Sequence, residues 1–253
     1  AAQVQVALVC VCLLFSGVLF VRAQSWQSWS VITLTNVERH PLSPRANYEA
    51  GVWYFSDLLK GGAKPAEESK QLAEQHFRKS LELDQQSIGG ITGIYQLYDL
   101  LQLPLHDAGL RSLLLERLHN AALGDGELRK FVEFLTCNRK YYCSVPAGQL
   151  AEMISAIEHN SFARKPAKSR VLNEYAVYLY EHQKLEKSLY YLNQAIELYP
   201  EEDEYWLSAI QVAAITKDKA LRERLIDEYI SSSDESEVRS RRLSRLQRTG
   251  SPD

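Results

Sequence analysis

Cysteine is scarce: four in 253 residues are too few for a scaffold built on disulfides. Twelve Gly and eight Pro are too few for a β-sandwich with many tight turns. An excess of one charge sign is also lacking. Lys and Arg number 29 against 32 Asp and Glu, so the formal charge is −3 and no global basic field exists to hold nucleic acid. No H-E-x-x-H, Walker loop, G-x-S-x-G or G-x-G-x-x-G occurs. The six His (His40, His76, His106, His119, His159 and His182) form no spaced pair that a metal would need. Acidic residues are spread along helix faces, and Glu201 to Glu204 read as a helix start, where acids meet the positive dipole end. No catalytic constellation, metal site or cofactor is expected. What is present is 45 % hydrophobic and 24 % charged residues, an ordinary globular balance that supports a sizeable core. Fourteen Tyr with many Leu and Ala point to packed helices. At about 150 residues per domain, one or two domains fit.

The longest apolar run is at the N-terminus. Between Val4 and Val21 only Gln5, Ser16 and Gly17 interrupt it, and the first charge is Arg22. Helical residues rise 1.5 Å each, so this run reaches roughly 27 Å, near the ~30 Å of a bilayer core. Trp26 and Trp29 come next at interfacial spacing. A transmembrane helix over residues 1–23 is the leading reading. A cleaved signal peptide (Val21-Arg22-Ala23 before Gln24) and a buried core helix are its alternatives. The start Ala-Ala-Gln, with neither Met nor a basic flank, suggests a chain cut from something longer. Arg22, Arg39 and Arg45, taken alone, favour a cytoplasmic side for the residues beyond the span.

From Trp26 onward the hydrophobic period is helical, with no Asn-Gly or Asp-Gly hairpin signal. The pattern predicts an all-α chain with helices over 4–38, 45–60, 66–84, 87–102, 107–122, 126–138, 146–159, 169–182, 185–198, 203–215 and 218–231. Breaks fall at Pro41, Pro44, Gly61-Gly62, Pro104, Gly124, Pro146, Pro166 and Pro200. The organisation expected is an anchor over 1–23, a membrane-proximal helix and linker over 24–44, a helical domain over 45–231, and a polar, then basic tail over 232–253. Five Arg fall between 239 and 248 in that tail, which reads as disordered, with a short amphipathic helix around Val238 to Leu246.

Within the helical domain a 34-residue code appears. With Pro200 at position 32, Leu172 takes position 4, Tyr175 position 7, Ala176 position 8 and Leu179 position 11. Ser188, Leu192 and Ala195 then take positions 20, 24 and 27. Every small position is small and every large one is large, as two closely approaching helices require. Trp206 sits at position 4 of the next unit. Near the front, Gly51, Tyr54, Ala73, Phe77 and Ser80 take positions 8, 11, 20, 24 and 27, but the gap between the helices is ten residues too long. Residues 87–160 show helix pairs without the small-residue code. These stretches resemble tetratricopeptide (TPR) repeats, which implies a superhelical binding scaffold, a protein or peptide partner, and no chemistry of its own. In that family the concave face is lined by positions 2, 5, 9 and 12 of the first helix. Here those are Arg45, Tyr48, Val52 and Phe55, and in the well-matched unit Arg170, Asn173, Val177 and Tyr180. A cationic and an amide side chain at i and i+3 can both donate to an anion, so Arg170 and Asn173 are candidate contacts to an acidic or C-terminal peptide group.

A terminal span, a Trp-rich segment and His40-Pro41-Leu42-Ser43-Pro44-Arg45 opening a repeat resemble the end of multi-span bacterial membrane glycosyltransferases and O-antigen polymerase or ligase proteins. That resemblance implies an integral membrane setting, a lipid-linked glycan context through the parent protein, and a domain facing the periplasm from the bacterial inner membrane. The alternative is a single-anchor or secreted TPR adaptor that assembles an envelope complex and has no enzymatic parent; the alternative placement of the helical domain is the cytoplasmic side. Cys137 and Cys143, with five residues between them in LTCNRKYYCSVPAG, can be brought to bridging distance by a turn. A disulfide is expected there in an oxidising compartment, and two free thiols in a reducing one.

Overall fold

A computed structural model of the chain describes residues 2–25, 28–62, 64–103, 108–140 and 142–232. The described residues form twelve α-helices and contain no strand. They are α1 (Ala2–Ser25), α2 (Trp29–Arg39), α3 (Pro44–Leu59), α4 (Ala66–Leu83), α5 (Gly89–Leu100) and α6 (Ala108–Asn120). The second half carries α7 (Asp125–Arg139), α8 (Ala147–His159), α9 (Lys165–Glu181), α10 (Leu185–Leu198), α11 (Asp203–Ile215) and α12 (Lys219–Ser231). The chain divides into two compact units, one of residues 1–85 and 89–97, the other of residues 86–88 and 98–253. Of the tail expected over 232–253, only Ser232, the C-cap of α12, lies within the described residues.

In the first unit α3 and α4 form a helix pair, and α2 packs on α3. Ser43 starts α3: its hydroxyl accepts from the Ala46 amide at 3.2 Å, and Pro44 fills the first helical turn, where a missing N–H costs nothing. Ala50, Ala73 and Phe77 are fully buried, and Gly51 lets the Phe77 ring lie against the α3 backbone. The ten extra residues are absorbed in three places. Relative to the α9–α10 pair, α3 runs three residues further past its position-11 aromatic, the connecting loop is three longer, and α4 begins four earlier. The repeat therefore keeps its packing code while its helices lengthen.

Three expected boundaries move. The single helix over 4–38 is broken, because Ser28 is extended (φ −135°, ψ 126°) and caps α2, whose first hydrogen bond runs from the Ile32 amide to the Ser28 carbonyl at 3.1 Å. Ser side chains compete with helical hydrogen bonds, and this Ser-rich stretch supplies several. Pro166 does not end anything. It lies in the first turn of α9, which starts four residues earlier than expected. The helix expected from 87 starts at Gly89, because Ser87 Oγ and the Ile88 amide both donate to Glu127 Oε2, each at 2.8 Å.

α1 forms as a helix, and Leu13, Leu14, Phe15, Val18, Leu19, Phe20 and Val21 stand exposed along it. Among the described residues no helix is long and apolar enough to cross a membrane, so the transmembrane assignment for residues 1–23 finds no support in the fold.

In the second unit α7 packs on α9 and α6 on α8, while α9 pairs with α10, α10 meets α11, and α11 pairs with α12. Next-but-one packing beside local pairs is what stacked two-helix repeats produce. The unit is a TPR-like stack in which α9 and α11 are first helices of their pairs and α7 packs on α9. Ala176, Ser188 and Ala195 are fully buried at the three small positions, and Ser188 Oγ donates to the Ala176 carbonyl at 2.8 Å. Trp206 and Tyr229 pack together in the last pair, ring centroids 6.1 Å apart, with Trp206 Nε1 donating to the Pro200 carbonyl at 2.9 Å. Cys137 and Cys143 are joined as a disulfide with Cα atoms 5.2 Å apart, pinning the end of α7 to the loop before α8. The same loop is held by Asn138 Oδ1, which accepts from the Val145 amide at 2.9 Å, and by Asp99, which accepts from the Ser144 hydroxyl at 2.7 Å.

Candidate functional site

α9 is fixed on two sides. Towards α10, Tyr175 lies 5.0 Å edge-on from Tyr191 and 5.8 Å from Tyr178, whose ring sits 4.2 Å from His182. Burial pushes the Tyr175 phenol up to about 12, so it stays neutral and acts as a packing group. Towards α7, Arg139 grips two acids on α9. Its Nε donates to Glu174 Oε1 and its Nη1 to Glu181 Oε1, both at 2.9 Å, and Thr136 Oγ1 adds a 2.8 Å bond to Glu174. Burial works against the Arg139 charge, but its hydrogen bonds and attraction to Glu181 and Glu174 outweigh that and hold its pKa above the ordinary value.

The remaining face of α9 carries the residues singled out from the repeat pattern. Arg170, Asn173, Val177 and Tyr180 succeed one another at helical spacing. Arg170 is exposed and makes no ion pair among the described residues, although it lies close enough to Tyr205 to favour its phenolate. Asn173 is only 7 % exposed, and its Oδ1 is buried without a partner. A buried, unmatched acceptor costs about 1–3 kcal/mol until a donor reaches it. One turn on, Val177 and Tyr180 border a cavity of about 130 Å³, completed by Leu192 of α10 and by Ser208 and Gln211 of α11. This face therefore presents an exposed guanidinium and a small hollow, and the unmatched Asn173 Oδ1 is buried beneath it.

The corresponding face of α3 differs. Arg45 is exposed, but its Nε is held by Glu49 Oε1 at 2.7 Å, and that bond raises its pKa. Tyr48 is half-buried with its ring 5.9 Å from Phe77, and Val52 and Phe55 are half-buried. Arg45 is thus committed to its own helix, whereas Arg170 is not. The Arg139–Glu174–Glu181 network escaped sequence reasoning because its partners are 35 and 42 residues apart and leave no local spacing to find. Among the described residues no group of three or more His, Cys, Asp or Glu could hold a metal ion.

No protein-family model matches the chain, and no curated protein matches its sequence. A solved structure described as the functional characterization of Pseudomonas aeruginosa pilF is similar at a TM-score of 0.43 and 14 % identity, over 81 % of this chain and 84 % of that one. At that level the likeness carries no argument about function. The resemblance to multi-span glycosyltransferases gains no support from these comparisons, and the architecture stands on the helix packing itself: all-α, with TPR-like helix pairs within each unit.

Proposed function

We propose that this chain is a non-enzymatic scaffold that binds a protein or peptide partner on the α9 face and is held at a membrane by its N-terminal helix. The observation that carries the binding reading is Asn173, buried with its Oδ1 unmatched, one turn from the exposed Arg170. The ligand would be an extended peptide. An acidic side chain or C-terminal carboxylate would meet Arg170, a small side chain would enter the hollow beside Tyr180, and the Asn173 side chain would turn outward so that its Oδ1 accepts from a main-chain N–H. Tethering is supported by the apolar side chains exposed along α1. An oxidising, periplasmic setting is supported by the Cys137–Cys143 bridge. A multi-span glycosyltransferase-like parent rests on the sequence layout of residues 15–60 alone and contributes no residue to this reading.

The test is a titration of a peptide library in paired forms, one with free C-terminal carboxylates and one amidated. Free acids are expected to bind more tightly, and Arg170→Ala with Asn173→Ala to remove that preference. Equal affinity for the two forms, or a preference that survives both substitutions, would refute the reading.

A further inference from the structure

The first unit contains a groove of its own, bordered by α2, α3 and α4 and enclosing about 690 Å³, a volume within the range of ligand sites. One wall is apolar: Leu34 and Val37 of α2, then Pro41. The floor is Tyr54, with His76 stacked on it at a centroid distance of 5.6 Å and an interplanar angle of 6°. Asn47 determines what His76 can do. Its Nδ2 donates to the Pro41 carbonyl at 2.8 Å and the Ser43 carbonyl at 2.9 Å, so its Oδ1 is the atom left for His76, 3.1 Å from Nδ1. Oδ1 only accepts, so Nδ1 carries the proton and Nε2 is left with a lone pair. Nε2 has no partner among the described residues. Burial holds this imidazole below its ordinary pKa, which keeps it neutral and accepting near pH 7.

The charges around the groove are unevenly matched. Arg78 is paired with Glu74 at 2.8 Å and Lys79 with Glu82 at 3.1 Å, each within α4. Glu38, on α2, makes no ion pair among the described residues, and its negative charge reaches far enough into the groove to help raise the Tyr54 pKa, behind burial and Glu68 and against Lys64. An open nitrogen acceptor, an uncompensated carboxylate and an aliphatic wall together suit a cation with several N–H donors on an apolar stem. A guanidinium can donate to two separate acceptors at once, which a compact ammonium does less well.

We propose that the groove between α2, α3 and α4 is a second binding site, taking an arginine side chain from a partner peptide. The guanidinium donates to His76 Nε2 and Glu38, and the stem lies along Leu34 and Val37. This site is independent of the α9 face and opposite to it in ligand charge. The test is a ¹H–¹⁵N titration of the full chain with acetyl-Leu-Arg-Leu-amide and with the same peptide carrying citrulline, which keeps the shape and loses the charge. Saturable shifts centred on Val37, Glu38, Asn47 and His76 are expected with the arginine peptide, with at least tenfold weaker binding of the citrulline one. Glu38→Gln, an exposed substitution, is expected to lower the affinity about tenfold while leaving the spectrum of the free protein intact. Equal binding of the two peptides, wild-type affinity in Glu38→Gln, shifts centred elsewhere, or no saturable binding at millimolar peptide would each overturn the proposal.

Discussion

Phe77 is clamped between glycines on two helices, and this makes the first unit sensitive to single methyl groups. A Cβ at Gly93 would lie 2.5 Å from Phe77 Cε1 and 2.6 Å from Cδ1, where ordinary carbon contacts are about 3.5–4.0 Å. The ring must therefore retreat by about 1 Å. Its other side is closed, since a Cβ at Gly51 would stand 2.6 Å from the same Cδ1 atom, and Phe77 is fully buried. Overpacking of this kind costs roughly 1–3 kcal/mol, against a helix-propensity gain of about 1 kcal/mol for Gly→Ala. Gly93→Ala is thus expected to destabilise by up to about 2 kcal/mol after both effects. Gly90→Ala should cost more, because its Cβ would meet the Phe77 carbonyl oxygen at 2.5 Å and backbone cannot swing aside. Gly126→Ala in α7 has nothing within 4 Å and should stabilise by a few tenths of a kcal/mol to about 1. The assay is native-state hydrogen exchange of the α4 amides, which reports the first unit separately, with urea unfolding for Gly126→Ala. A Gly93→Ala/Phe77→Leu double variant should cost less than the sum of its parts by about 1 kcal/mol, since the smaller side chain vacates the contact. Gly93→Ala more stable than the parent by the full helix-propensity gain of about 1 kcal/mol, or strict additivity in the double variant, would show that the clamp does not exist.

Other outcomes rest on single side chains. Burial lowers the folded-state pKa of His76, so the unfolded chain binds the proton more readily. Stability should therefore be flat above about pH 6.5 and fall as pH drops below it, and an imidazole ¹³C titration with a midpoint at or above 6.5 would contradict this. Tyr175, with its phenol near 12, should be among the last tyrosines to ionise in ultraviolet titration; a Tyr175→Phe variant that removes an early-ionising group near pH 10 would contradict its burial. Arg139→Ala leaves Glu174 and Glu181 without their shared cation and is expected to cost on the order of 1–2 kcal/mol, read as a lower urea midpoint; Arg139→Lys should recover only part of it, because one ammonium replaces a two-armed donor. Reducing Cys137–Cys143 reopens a short loop and should cost about 2 kcal/mol in the loop-entropy picture; an unchanged midpoint under reductant would show that the Asn138 and Asp99 bonds hold the loop unaided.

Most of the fold is legible in the sequence because helices here are punctuated by Pro and Gly and bury one periodic face. α10 and α11 run over the residues their hydrophobic period marks. Where the pattern misleads, the deciding contact is distant or the breaker has a second use. Pro166 starts a helix because its missing N–H falls in the first turn. The start of α5 depends on Glu127, 39 residues away from Ile88. Residues 87–160 lack the repeat's small-residue code, yet Gly90 and Gly93 supply close contacts with Phe77 and Leu81 on α4. The signal for those contacts is two glycines at i and i+3 in a helical stretch. The candidate site divides in the same way. Repeat positions locate the α9 face, but the buried, unmatched Oδ1 of Asn173 and the network that fixes the opposite side of α9 emerge only in three dimensions.

The central claim is that the α9 face receives an extended peptide. Its most direct test is a ¹H–¹⁵N chemical-shift map of the full chain with the best free-carboxylate peptide from the library. The largest perturbations are expected on the Arg170 and Asn173 side chains and on the amides of Val177, Tyr180 and Gln211. Shifts confined to other surfaces, or the same map from the amidated peptide at the same affinity, would contradict it.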